Sequence, residues 1–159
     1  MLESLENIKY FLSKEPLCEI NKYLQEYAVI CACGDIEQKY KELFTNRLLH
    51  KTKNIELTKY LTENLFHNGF NPNYDNIMNF ISKINKNAKI KLKTNMKKSY
   101  FSSHKILSQS LCDLRNRIAH GGTPSSISII DIIKYYQASL DIYIMVKNIL
   151  HKDIISGKL

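Results

Sequence analysis

Apolar residues recur along most of the chain at intervals of three and four, the period of helices that bury one face, and strict apolar-polar alternation is confined to one short stretch. The pattern predicts a first helix from Leu2 to about Leu12. Ser13-Lys-Glu-Pro16 follows as a break and a restart, with Ser13 as an N-cap and Pro16 in the first turn of the next helix. A long second helix then runs through Leu17, Ile20, Leu24, Tyr27, Ala28 and Cys31 towards Leu48, with no proline inside it. Within it Ile30, Cys33, Gly34, Tyr40 and Phe44 form a stripe at offsets of three, four, ten and fourteen. Gly34 weakens helix propensity there by about 1 kcal/mol, which points to a close helix approach or a ligand. A third helix spans Ile55 to about Phe66 and ends at His67-Asn-Gly69; a fourth follows the turn-like Asn71-Pro-Asn and carries Ile77, Phe80, Ile81 and Ile84.

Leu107, Leu111, Leu114 and Ile118, at offsets of four, seven and eleven, make one stripe of a fifth helix. Gly121, Gly122 and Pro124 close it near Ala119 or His120. Ser128-Ile-Ile-Asp131 resembles a capping box and opens the last helix. Its inward stripe is Ile129, Ile132, Ile133, Tyr136, Leu140 and Ile144, and Ile142, Met145, Val146 and Ile149 add a second apolar side that needs a second partner, within a bundle or across a dimer. With only five glycines and three prolines to punctuate 159 residues, the chain reads as all-α, an antiparallel bundle of about five to six helices in a single domain over residues 1–159.

Charge changes this picture in one respect. The 23 Lys and Arg against 15 Asp and Glu give a net charge of +8, which favours nucleic acid or an acidic protein as partner over a membrane. Lys86 to Lys98 is the most basic part, and its alternating Lys89-Ile90-Lys91-Leu92-Lys93 predicts an ordered loop or a short exposed strand. Such a run is ordinarily a solvated face. Read functionally, Lys97 and Lys98 follow a phosphate backbone while Tyr100 and Phe101 stack on bases. The opening Met1-Leu-Glu-Ser has no signal-peptide pattern and no apolar run reaches the length of a membrane span, so a cytoplasmic protein is expected. Cys18, Cys31, Cys33 and Cys112 lie in apolar helical segments, as reduced core residues do, and no Cys and His spacing suits a metal site; neither metal nor cofactor is expected. His50, His67, His104 and His151 sit near polar ends of segments and read as exposed.

Candidate chemistry gathers at the end of the fifth helix, where Arg115, Asn116, Arg117 and His120 fall within six residues. The chain has three arginines, Arg47, Arg115 and Arg117, and two of them stand beside one histidine. Asn116 and His120, four apart, share a helix face. Guanidinium donates paired hydrogen bonds to phosphate oxygens, and histidine is the side chain that exchanges protons near neutral pH. Glu37 falls within the apolar stripe of the second helix. An acid there needs a partner, and the pattern predicts that Glu37 faces inward to Arg115, Arg117 or the backbone near His120, either as an ion pair that orients the helices or in catalysis.

The string Leu114-Arg-Asn-Arg-Ile-Ala-His-Gly121 resembles the signature of HEPN domains, all-helical modules of which many are metal-independent ribonucleases. Ala28 to Leu48, with Asp35-Ile-Glu37 and Tyr40-Lys-Glu-Leu43, looks like the first long helix of the RiboL-PSP-type branch, in which the matching acid supports the active site from across the helix pair. The resemblance implies Arg115, Asn116 and His120 as the catalytic set, with Arg117, Glu37, Lys97 and Lys98 binding substrate or supporting it. It further implies RNA as substrate, tRNA included, a homodimer with a composite site, a 2′,3′-cyclic phosphate product, and a toxin-like or defence-associated role with an antitoxin or larger defence system as partner. The alternative is a catalytically silent HEPN module that binds nucleic acid, a nucleotide or a protein. Gly122 stands where HEPN toxins paired with a nucleotidyltransferase antitoxin carry a tyrosine, so the resemblance does not extend to modification at that position.

Overall fold

Capping side chains and buried stripes divide the chain into seven α-helices in the computed structural model, which describes residues 1–14, 20–66, 70–122 and 127–155. They are α1 (Leu2–Lys14), α2 (Ile20–Thr52), α3 (Ile55–Phe66), α4 (Tyr74–Ile84), α5 (Lys86–Asn95), α6 (His104–Ala119) and α7 (Ile129–Ile155), with one 3-10 turn at Ser99–Phe101. Among the described residues there is no strand, and no helix is long and apolar enough to cross a membrane.

Asparagine marks three of the helix starts. Asn54 Oδ1 accepts from the Leu57 N–H at 2.9 Å, Asn73 Oδ1 from Asn76 at 2.8 Å, and Asn85 Oδ1 from Ala88 at 3.1 Å. Each satisfies a first-turn donor that the helix itself cannot. At α7 the Ser128 hydroxyl accepts from the Asp131 N–H at 3.1 Å and donates to its carboxylate at 2.7 Å, a variant of the expected capping box. Ser13 does not cap a second helix: it lies inside α1, where its hydroxyl donates to the Tyr10 carbonyl. Pro16, the His67-Asn-Gly69 stop, Pro124 and Cys18 lie outside the described residues.

The seventh helix is α5, in the stretch whose alternation predicts a loop or strand. A period of four decides it: Ala88 and Leu92 are fully buried while the lysines between them point to solvent or its edge. Asn85 ends α4 and starts α5, so the two helices meet at one residue.

The core lies where α2 meets α6 and α7. Tyr40, Phe44, Phe70 and Phe80 cluster there, with Phe44 and Phe80 stacked at 4.1 Å and Tyr143 of α7 edge-on to Tyr40 at 5.4 Å. Asp35 links α2 to α7, accepting from the Tyr136 hydroxyl at 2.7 Å and from Lys39 at 2.9 Å. α6 runs antiparallel to α7, since His104 at its start meets Asp141 at 3.2 Å and Arg117 near its end lines a cleft with Asp131 and Tyr135. The two apolar sides expected of the last helix find α6 and α2 as partners, although Ile144 is 44% exposed. Two positions on the α2 stripe face outward instead. Ile30 is 47% exposed, and Gly34 has open space where a side chain would stand, so none of the described helices approaches there.

Candidate active site

The end of α6 is closed by three backbone bonds. The His120 N–H donates to the Asn116 carbonyl at 3.1 Å, Gly121 to Ile118 at 3.0 Å, and Gly122 to Arg117 at 2.9 Å. Gly121 takes φ +74, and the last two bonds have the pairing of a Schellman motif. The helix therefore stops at the place its sequence predicts, with His120 as C-cap. The His120 side chain is exposed and Asn116, one turn earlier, is half-buried.

The two arginines part company. Arg115 is half-buried, and its charge is felt at Cys33 of α2. Arg117 is exposed and lines a polar cleft of about 310 Å³ between α6 and α7, with Asp113, Asp131 and Tyr135. A convergence of both guanidiniums on one spot is therefore not what a single chain presents. Arg47, the third arginine, is buried in α2 and stands fourteen residues, about 21 Å of helix, beyond Cys33.

Cys33 and Cys112 face one another across α2 and α6, both about 1% exposed. Pairing with the Cys112 thiol, opposed by burial and aided by the Arg115 charge, pulls the Cys33 thiol down to about 7. The same pairing and burial push Cys112 well up. Sequence reasoning treats Cys33 as plain core. A signal was present, because Cys112 and Arg115 are three apart on α6 and share the face turned to α2.

Glu37 does not reach Arg115, Arg117 or the end of α6. Its carboxylate pairs with Lys41 at 2.7 Å and accepts from the Phe70 N–H at 3.2 Å, anchoring the segment before α4, while its charge is still felt at Cys33. Lys41 is a neighbour on the same helix face, but the other partner is a backbone group 33 residues away, which a helix-face argument cannot find. Lys97 and Lys98 are exposed just before the 3-10 turn, at the opposite end of α6 from His120, and sixteen helical residues separate those ends by about 24 Å. His104 is a correction of another kind. Predicted exposed, it is about 9% exposed and bonds Asp141, fixing the start of α6 to α7.

The profile of the RiboL-PSP-HEPN family matches residues 2–152. The chain belongs to this HEPN family. The match spans α1 to near the end of α7, so the helices that carry Cys33, Arg115, Asn116 and His120 are all part of the HEPN domain. Searches of curated proteins and of solved structures returned no match.

Proposed function

We propose that this HEPN protein is a metal-independent endoribonuclease, toxin-like or defence-associated, that cleaves RNA through attack of the ribose 2′-hydroxyl. The carrying observation is that the Schellman closure of α6 holds His120 in solvent one turn from Asn116, with Arg115 immediately before it on the same helix. In this reaction the 2′-oxygen forms a bond to phosphorus and gives up its proton, the bond from phosphorus to the 5′-oxygen breaks, and that oxygen takes a proton. The products are a 2′,3′-cyclic phosphate and a 5′-hydroxyl. An exposed imidazole serves the proton transfers. Arg115 serves the charge on the phosphoryl oxygens, and Asn116 orients either the imidazole or the phosphate.

One histidine per chain is a weak acid-base pair by itself, because the base at the 2′-oxygen and the acid at the 5′-oxygen stand on opposite sides of the phosphorus. A two-fold axis that brings two copies of the α6 end together supplies both, so the reading includes a homodimer with a composite cleft. Arg117, displaced to the α7 side, serves that cleft by holding substrate, and Lys97 and Lys98 hold RNA further along the strand. The positive net charge and the family support RNA, tRNA included, as substrate. An antitoxin or larger defence system is the partner this role entails.

The test is incubation of the protein and its His120→Ala variant with labelled tRNA and mixed single-stranded RNA in EDTA, followed by analysis of the product ends. The parent leaves cyclic phosphate, and the variant is slower by about 10²–10⁴. Binding of RNA by both without cleavage by either replaces the ribonuclease with a silent binding module.

A further inference from the structure

A cleft of about 650 Å³ opens between α5, the 3-10 turn and the second half of α7, a volume typical of sites for small ligands. It shares no lining residue with the end of α6. Its apolar floor includes Met145 and Ile149, and Tyr100 and Phe101 form an aromatic edge. Tyr100 is 69% exposed yet braced, with Phe101 edge-on at 4.9 Å and His104 at 5.2 Å. The acid on the wall is engaged already: Asp141 bonds His104 through one oxygen and Gln137 through the other.

Two neutral amides, Asn95 and Asn148, also line the cleft, and Lys98 stands among the lining residues with the α5 lysines around it. An apolar chain or helix face in this cleft would leave the amides without partners, whereas a nucleobase offers both a ring to stack and an edge to hydrogen-bond. The surrounding cations complement a phosphate backbone. We propose that this cleft takes one unstacked base of a bound RNA strand, as an anchoring subsite separate from the place of cleavage. This rests on RNA as the ligand under the proposed function. The separation of about 24 Å along α6 lies within the span of the roughly 4–16 nucleotides that stacking platforms engage.

The experiment measures fluorescence anisotropy of labelled single-stranded RNA with the His120→Ala chain, which removes cleavage from the readout. A second strand of equal length carries abasic sites and so keeps the charge without the rings. The base-bearing strand is expected to bind about tenfold more tightly than the abasic one, and Tyr100→Ala or Ile144→Glu, both at exposed positions, should each erase that difference. Photo-crosslinks from 4-thiouridine should map to Tyr100 or Met145. Equal binding of the two strands, or a difference that survives both substitutions in folded protein, overturns the subsite. Base-dependent binding without cleavage by the parent keeps the subsite and removes the ribonuclease. His120-dependent cleavage with base-independent binding does the reverse.

Discussion

A methyl group at position 122 would sit 2.9 Å from Arg117 Cγ and 3.1 Å from the Arg117 carbonyl oxygen. Part of that obstacle is backbone, so Gly122→Ala must shift the last turn of α6, and a loss of about 1–3 kcal/mol in stability is expected. Thermal unfolding would show it as a melting point several degrees lower. A tyrosine at this position would meet the same obstacle. Cys33 gives a second residue-scale prediction. Its thiol lies near 7 in the folded chain and near 8.5 when unfolded, so its contribution is present above the unfolded value and lost as pH falls through the folded one. Cys112, pushed the other way, costs stability above about pH 8.5. The melting temperature should therefore rise between about pH 7 and 8.5 and decline beyond, and Cys33→Ala should flatten the rise. An unchanged profile in that variant would dissociate the thiol pair from stability.

At the scale of helices, α2 and α7 are joined by the Tyr136 hydroxyl, which donates to Asp35 from a nearly buried ring. Burial first, and then the Asp35 carboxylate, hold that phenol protonated. Tyr136→Phe keeps the ring and removes the bond, and chemical denaturation should report a loss of about 1–2 kcal/mol, in the lower part of the range for charged acceptors because Asp35 is partly hydrated. Helices were legible in the sequence where a three-and-four period ran between punctuation, as in α6 with its Gly121-Gly122 stop. α5 was not, because its lysines alternate with Ile90 and Leu92 and drown the single Ala88–Leu92 pair that packs against the bundle. Candidate-site residues follow the same division. The string Arg115 to His120 could be read because it is contiguous, whereas the Glu37–Phe70 and His104–Asp141 contacts and the influence of Arg115 on Cys33 depend on which segments become neighbours.

For the whole molecule, the decisive question is whether two copies share one site. If each cleavage needs His120 from both chains, mixing the parent with excess His120→Ala and allowing exchange makes activity fall as the square of the parent fraction. A site complete in one chain makes it fall in simple proportion. Sedimentation of the mixture confirms that exchange took place, so the two laws can be told apart. The same measurement places Arg117: if it holds substrate across a shared cleft, its alanine variant weakens binding without changing the exponent.

The closure of α6 carries one more consequence. Its three terminal amides, those of His120, Gly121 and Gly122, are all consumed by carbonyls of the helix they end. Among the described residues no main-chain nest remains at this tip to cradle an oxyanion, as a helix beginning would provide. Under the proposed function a phosphate at His120 is therefore gripped by side chains, and the described backbone beside it supplies no redundancy for a guanidinium or amide that is lost.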